Sequence, residues 1–187
     1  FAYNFKHWKT STGLNNLCIH GIKPDVIFAA DRVDLGFEEP KVRIDPKGLF
    51  LPEPKQVAEY HGIDYHVVEH NAASTASLIE QYDLDLGVIL GARILKPNVI
   101  DAFKCGVLNL HPGILPENRG LDTIKWAITK NLPMGVTAHL IDRHIDRGHL
   151  LEARRVEVYE DDTMLDIKIR LQNLEQELMI SWVQCLA

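Results

Sequence analysis

The sequence predicts an α/β fold, with a Rossmann-like, mostly parallel, twisted sheet and helices on both faces. Short apolar runs of β-type residues, such as VIFAA at residues 26–30 and LGVIL at residues 86–90, alternate with helix-type segments. Because these runs are continuously apolar, they are typical of strands that are buried on both faces of a parallel sheet. Glycine and proline punctuate the segments, as expected for elements joined by short connections.

The predicted elements alternate along the chain. Strands are expected at residues 1–3, 26–30, 65–68, 86–90, 106–110, 135–141 and 150–158. Helices are expected as a short amphipathic segment after residue 13, at 54–61, 75–82 and 97–103, from a cap at Asp122 through Thr129, and as a long final helix capped by Asp162. Residues 31–54 carry charges, proline and glycine, which predicts a long loop.

Two periodicities refine this outline. Residues 135–141 alternate apolar and polar side chains, which predicts a half-exposed strand. In the final helix, apolar residues recur at spacings of three and four and predict a stripe that faces the core: Ile167, Leu171, Leu174, Leu178 and Trp182.

The composition indicates one globular domain over residues 1–187, and we expect some residues to be missing before Phe1. Of the 187 residues 46% are hydrophobic, and 20 Lys and Arg against 26 Asp and Glu give a net charge of −6. This charge disfavours nucleic-acid binding, and no apolar run approaches the roughly 20 residues of a membrane span. The cysteines Cys18, Cys105 and Cys185 are odd in number and widely spaced, which favours reduced thiols in the cytoplasm.

Asn109 and His111 leave the end of the apolar run GVLNL. In a strand, residues two apart lie on the same side, and ligands of parallel α/β sheets bind beyond the carboxyl ends of the strands. A polar pair at this place is costly unless it is partnered or used. The alternative is structural: Asn109 would fix the following loop, and His111 would be a hydrogen-bonded core histidine.

Asp142 and Asp146 follow the predicted strand at residues 135–141, and Gly148 allows a tight return. A carboxylate in this loop could orient an imidazole or accept a proton through water. Taken alone, the commoner situation is an aspartate that hydrogen-bonds its own turn.

Together these motifs are specific. The runs GVLNLHPGILPENRG and GVTAHLIDRHIDRGHLL resemble the folate-dependent formyltransferases, and the pattern is most similar to sugar-nucleotide N-formyltransferases and glycinamide ribonucleotide formyltransferase. The resemblance covers most of residues 85–182, including ARILKP, whereas the first 80 residues match only in outline. It implies a single catalytic domain that transfers a formyl group from N10-formyltetrahydrofolate to a primary amine of a small molecule.

The resemblance also implies roles for three residues. Asn109 would donate a hydrogen bond to the formyl oxygen, as donors to a developing oxyanion do in acyl transfer. His111, whose residue type titrates near neutrality, would help to take the amine proton or bind the oxyanion. Asp146 would hold His111 and an ordered water in a proton relay. Neither a metal nor a covalent intermediate is required.

On the cofactor side, the resemblance implies that two loops and a leucine flank the pterin and the transferred group: Arg93, Ile94, Leu95, Leu115, Ile141, Asp142 and His144. For ARIL alone, a strand end with one solvated arginine would be the simpler interpretation.

The acceptor amine is expected to belong to a nucleotide-linked 4-amino-4,6-dideoxy sugar, with glycinamide ribonucleotide second and tRNA a distant third. FAY resembles the opening strand of the sugar enzymes, and Arg119-Gly120 resembles the tRNA and sugar enzymes more than the purine enzyme. The acidic charge of the chain makes tRNA a poor candidate. Candidate acceptor residues are Tyr3, Asn4, Trp8, Ser11, Thr12, Gly13 and Glu175. Ser11, Thr12 and Gly13 could bind an anion at a helix start or simply cap the helix. Glu175 would contact the ribose in the purine case, and would otherwise be a solvated helix glutamate.

Other functions stay open. The nine histidines raise the question of a metal-dependent hydrolase, but their spacings do not form a known ligand motif. A folate-binding module without activity and a hydrolase of the formyl cofactor share the same site residues. The oligomeric state is also open, with a homodimer as one option.

Overall fold

The computed structural model describes residues 1–34, 36 and 51–186. The strands are β1 (Ala2–Tyr3), β2 (Val26–Ala30), β3 (Asp64–Val67), β4 (Leu86–Val88), β5 (Gly106–His111), β6 (Gly135–Leu140) and β7 (His149–Arg155). The helices are α1 (Trp8–Ile19), α2 (Pro54–His61), α3 (Ala73–Tyr82), α4 (Pro97–Ile100), α5 (Thr123–Lys130) and α6 (Met164–Leu186). Most of the loop predicted at residues 31–54 lies outside the described residues.

The strands form two sheets that hydrogen bonds of Phe1 connect. One sheet has the parallel order β1-β2-β3, and the other has the order β4-β5-β6-β7, in which β4 and β5 are parallel and the next two pairings are antiparallel. The Phe1 nitrogen donates to Val88 O at 2.7 Å, and its carbonyl accepts from Leu90 N at 2.9 Å. The strand order is therefore 3-2-1-4-5-6-7, which confirms the Rossmann-like prediction.

This order reverses between β1 and β4. In open α/β sheets, such a reversal leaves a crevice at the carboxyl ends of the strands, where ligands bind. The carboxyl ends of β1, β4 and β5 meet at that edge, because these strands run in the same direction.

The two faces of β5 pack against different parts of the core. Leu108 and Leu110 belong to the cluster that includes α1 and α6, whereas Val107 belongs to the cluster that includes α3 and α4. By the strand period of two, Asn109 and His111 continue the face of Val107 beyond its apolar cover. The packing thus leaves polar side chains at the crevice end of an apolar strand.

Two predictions about local structure are wrong. Helix α1 begins at Trp8, before residues 11–13, because the His7 side chain caps it by accepting from Thr10 N. Strand β6 is buried over residues 135–139 instead of half-exposed, because α6 covers one face and the site residues cover the other.

The predicted caps of the last two helices are also corrected. Asp162 accepts from Tyr159 N and pairs with Arg170, and the capping hydrogen bonds of α6 join Thr163 and Asp166. Asp122 does precede α5, but its carboxylate makes no capping hydrogen bond and lies 2.9 Å from the ammonium of Lys125.

The core-facing stripe of α6 is confirmed. Ile167, Leu171, Leu174 and Leu178 are buried, and Trp182 is half-buried against the same cluster. Within the part of the chain that the structure describes, no helix is both long and apolar enough to span a bilayer.

Candidate active site

The site is built on the register between β5 and β6. Asn109 lies opposite His139, and His111 lies opposite Thr137. Side chains that face each other across an antiparallel pair lie on the same side of the sheet. The register therefore joins the polar residues of both strands into one polar face.

His139 is a site residue that the sequence interpretation missed. It is fully buried, and its Nε2 lies 3.1 Å from Asn109 Nδ2 and 3.9 Å from Asp146 Oδ1. Burial lowers the pKa of His139 from its ordinary value of 6.5 to about 4, so the ring is neutral at neutral pH. The signal was present in the alternation of GVTAHL, which puts Thr137 and His139 on one face once β6 is paired with β5.

Asp146 reaches this polar face from the loop after β6. Its backbone has a φ of 50°, in the left-handed region. Gly120 N donates to Asp146 Oδ2 at 2.8 Å, and Arg119 Nε donates to Asp146 O at 2.9 Å. The loop returns close to β6 at Gly148, and this position requires glycine because a Cβ atom there would collide with the Leu140 carbonyl oxygen. The carboxylate is thus aimed by backbone contacts.

The two ring nitrogens of His111 have different partners. Nε2 lies 2.7 Å from Asn118 O, which can only accept, so Nε2 carries a proton and donates it. Nδ1 lies 3.6 Å from Asp146 Oδ2, and both side chains are largely buried. In the neutral ring, Nδ1 is therefore an unprotonated nitrogen beside a carboxylate, an arrangement that can take up a proton.

Residues 112–120 are held against this pair by Thr137. The Thr137 hydroxyl donates to Gly113 O at 2.7 Å and accepts from Leu115 N at 3.1 Å. Glycine is required at position 113, because a Cβ atom there would lie 2.6 Å from Asn118 O. The absence of a side chain at Gly113 lets the Asn118 carbonyl lie against His111. The Leu115 side chain in the same segment is buried.

Apart from Leu115, which follows β5, the residues predicted for the pterin side lie on the loops after β4 and β6. The Arg93 guanidinium is near the Val33 carbonyl at 3.3 Å, Ile94 is 64% exposed and Leu95 is buried in the core. Leu95 can therefore offer a ligand little more than its backbone.

In the second of these loops, Ile141 is half-buried against the core. The Asp142 carboxylate accepts from His144 N at 2.8 Å, and this hydrogen bond lowers its pKa. Asp142 thus stabilises its own turn, and the His144 ring is exposed.

The predicted acceptor residues Tyr3 and Asn4 lie at the carboxyl end of β1. The Tyr3 hydroxyl donates to Ala92 O at 3.1 Å, which ties β1 to the loop after β4. The Asn4 side chain donates to Asp31 and accepts from the Tyr65 hydroxyl, both at 2.7 Å. Trp8 is half-buried at the first position of α1.

Ser11, Thr12 and Gly13 do not form an anion site at a helix start. They lie inside α1, where their backbone N–H groups belong to the helix. The Ser11 hydroxyl donates to Pro52 O, and the Thr12 hydroxyl donates to Trp8 O. Both the capping and the anion-binding interpretations of these residues are therefore wrong.

Glu175 is not a solvated helix glutamate. Its side chain is 7% exposed, and Oε1 lies 3.0 Å from the ammonium of Lys9. Lys9 also donates to Leu110 O at 2.8 Å. The sequence interpretation did not single out Lys9, because nothing local indicates that its partner comes from the other end of the chain.

Among residues 1–34, 36 and 51–186, no group of three or more His, Cys, Asp or Glu side chains is arranged to hold a metal ion.

A cavity lies apart from the polar face of β5 and β6. Its volume is about 200 Å³, and it lies at the amino ends of β2 and β4, lined mainly by residues 22–28 and 84–88. Because this is the opposite edge of the sheet, we do not assign the cavity to the site.

The fold and site define an α/β domain with a ligand crevice at a strand-order reversal, where an amide, two imidazoles and a carboxylate meet. The chain belongs to the formyl transferase family, whose sequence model matches residues 40–183. This finding confirms the resemblance.

Individual relatives carry different names. The chain is 29% identical over 171 residues to a methionyl-tRNA formyltransferase of Halorhodospira halophila, covering 90% of this chain and 53% of the relative. The chain spans about half the length of the curated relatives that it matches.

Among solved structures, phosphoribosylglycinamide formyltransferase from Streptococcus pneumoniae superposes with a TM-score of 0.73 at 21% identity, covering 99% of this chain and 96% of that one. The formyltransferase PseJ from Anoxybacillus kamchatkensis, in complex with UDP-4,6-dideoxy-4-formamido-L-AltNAc and tetrahydrofolate, superposes with a TM-score of 0.58 at 26% identity, over 72% of both chains.

Proposed function

We propose that this chain is the catalytic part of an N-formyltransferase that moves a formyl group from N10-formyltetrahydrofolate to a primary amine. The observation that carries the proposal is the convergence of Asn109, His111 and Asp146 at the crevice end of β5. Family membership supports the reaction class.

The residues at the crevice fit a folate. The loops after β4 and β6 each expose a large apolar side chain, Ile94 at 64% and Ile145 at 56%, and a flat pterin ring needs apolar walls of this kind. Residues that would hold it are the predicted ones, namely Arg93, Ile94, Leu95, Leu115, Ile141, Asp142 and His144. When bound, the folate supplies an activated formyl group.

Asn109 is the donor in this mechanism, and His139 sets the orientation of its amide. The neutral His139 ring carries one proton, and its buried Nδ1 has no hydrogen-bond partner among the residues that the structure describes. A buried N–H without an acceptor costs about 1–3 kcal/mol, so the proton is better placed on Nε2. With Nε2 protonated, the Asn109 amide is turned by 180°, so that Oδ1 takes the place of Nδ2 against His139 Nε2. Its two amide N–H groups then point away from His139, where they can donate to a formyl oxygen.

His111 is the proton acceptor. With Nε2–H fixed on Asn118 O, the free Nδ1 is the atom that can receive the proton of the attacking amine, directly or through one water. The Asp146 carboxylate, 3.6 Å from Nδ1, stabilises the resulting imidazolium. Gly120 N holds that carboxylate in place.

The acceptor that we favour is the amino group of a nucleotide-linked 4-amino-4,6-dideoxy sugar. The complex named for PseJ contains the formylated form of such a sugar. Arg119, which contacts the Asp146 backbone, is part of an Arg-Gly pair that resembles the tRNA and sugar enzymes more than the purine enzyme. Tyr3 stacks on Phe5 with ring centroids 4.9 Å apart. Aromatic side chains therefore line the start of the loop between β1 and α1, which leads to Trp8.

Glycinamide ribonucleotide is the second candidate acceptor. The pneumococcal phosphoribosylglycinamide formyltransferase shares this fold, and one of the curated relatives carries the same name. For either acceptor, three unpaired cysteines suit a cytoplasmic enzyme.

The test is an acceptor panel with purified protein and N10-formyltetrahydrofolate. It contains a UDP-linked 4-amino-4,6-dideoxy sugar, glycinamide ribonucleotide and a reaction without amine, and the Asn109→Ala variant serves as the inactive control. We expect formamide product with the sugar. Formate release without amine would indicate a hydrolase, and tight folate binding without any turnover would indicate a binding module.

A further inference from the structure

One edge of β5 loses its strand partner just before the site. Ile89 N donates to Leu108 O at 3.0 Å, but β4 ends at Val88 and the chain then turns towards Phe1. Because carbonyls alternate along a strand, the Leu110 carbonyl points to the same side as that of Leu108. An unpaired carbonyl would therefore be expected between Asn109 and His111.

A side chain supplies the missing donor. Lys9, in the first turn of α1, donates from Nζ to Leu110 O at 2.8 Å. The same ammonium lies 3.0 Å from Glu175 Oε1, which α6 contributes from a buried position. The end of β5 is thereby tied to two helices that lie far apart in sequence.

We propose that Lys9, held by Glu175, is a positioning residue that fixes the end of β5 so that Asn109 and His111 keep their reactive geometry. The inference rests on the proposed function. A buried carbonyl without a donor costs free energy and invites the strand end to shift. A misplacement of about 1 Å at reacting groups can cost about a hundredfold in rate.

The electrostatics agree with this placement. The pKa of His139 is lowered mainly by burial, and the positive charge of Lys9 contributes in the same direction. The pKa of His7 is likewise lowered by burial and then by Lys9. Lys9 thus lies near enough to influence both the polar face of β6 and the start of α1.

The experiment compares Lys9→Met, Glu175→Gln and the double variant. Lys9→Met leaves a buried carboxylate without its cation, which destabilises proteins, whereas the double variant removes both charges and should recover most of the lost Tm. None of these three variants changes Asn109 or His111. The matched control is Lys55→Met with Glu59→Gln, an exposed pair on α2.

We expect Lys9→Met and the double variant to lower kcat by about tenfold or more, with the KM for N10-formyltetrahydrofolate within about threefold of the parent protein. Glu175→Gln should have a smaller effect, because Lys9 keeps its bond to Leu110. A purely structural role predicts instead that kcat returns together with Tm in the double variant, and that result would overturn the proposal.

A readout without turnover separates this proposal from the proposed function. Hydrogen exchange at the backbone amides of residues 109–111 should become faster in Lys9→Met and in the double variant, but not in the control. Unchanged exchange would refute the positioning role. A parent protein that formylates no amine would refute the proposed function alone, and the exchange comparison would still test Lys9.

Discussion

The polar face of β5 and β6 and the loop between β1 and α1 border the same crevice but are built differently. Asn109, His111 and His139 are placed by strand register and are held in buried or half-buried surroundings. At the end of β1 and the start of the β1–α1 loop, Tyr3 and Asn4 are also half-buried, but side-chain hydrogen bonds to Ala92 O and Asp31 hold them. We propose that the residues placed by strand register set the reaction, and that the residues held by side-chain hydrogen bonds select the acceptor.

The largest expected effect comes from the polar face of β5 and β6. His111→Ala should lower kcat by about a hundredfold or more, because it removes the proton acceptor. The matched control is His20→Ala, an exposed histidine at the end of α1, which should keep kcat within about twofold. Steady-state formyl transfer measures kcat of both variants, and equal kcat values would contradict the role of His111 as the proton acceptor.

The second effect separates two buried histidines. His139→Leu should lower kcat by about tenfold, because Asn109 loses the partner that orients its amide. His70→Leu, which removes the hydrogen bond to Phe28 O, should lower Tm but leave kcat within about threefold. Turnover that is unaffected in His139→Leu would contradict the proposed amide orientation.

A smaller effect is expected at Trp8, the first residue of α1 after the β1–α1 loop. Trp8→Ala should raise the KM for the amine acceptor by about fivefold, consistent with the loss of about 1 kcal/mol of aromatic contact. The KM for N10-formyltetrahydrofolate should stay within about twofold. If both KM values rise together, the loop does not recognise the acceptor separately from the folate.

The last effect is a pH dependence of stability that His139 on the polar face shares with His70, which lies after β3. Burial lowers the pKa of His139 and of His70 from 6.5 to about 4. Between these pH values the unfolded chain binds protons that the folded chain does not, so stability falls as the pH drops from about 6.5 towards 4. We expect Tm, measured across this range, to fall less steeply in His139→Leu and in His70→Leu, and parallel curves would contradict the buried neutral rings.

The fold could be predicted from the sequence because apolar runs and punctuation residues are local signals. The strand at Val26–Ala30 and the helix at Pro54–His61 appear with the predicted bounds. The start of α1 could not be predicted in the same way, since the capping group is a histidine, His7, rather than one of the usual small polar residues.

The site was predictable only where its residues lie on one motif. Asn109 and His111 are two apart on one strand, so the sequence brings them together before any fold is known. His139 joins them through the β5–β6 register, and Glu175 meets Lys9 across 166 residues of chain. The alternation of GVTAHL indicates the face of His139 once β6 is paired with β5. The pairing of Glu175 with Lys9 carries no local signal, which is why the sequence suggested a solvated glutamate at position 175.

We propose that an amide, an imidazole and a carboxylate beside the end of β5 carry out the transfer. The sharpest test of this proposal is the single-turnover rate of formyl transfer in Asp146→Asn, measured with saturating folate and the preferred amine from the acceptor panel. We expect this rate to fall by about a hundredfold or more, because the proton on His111 loses its counter-charge, while the affinity for tetrahydrofolate stays within about threefold. A rate within about threefold of the parent protein would refute the proposal.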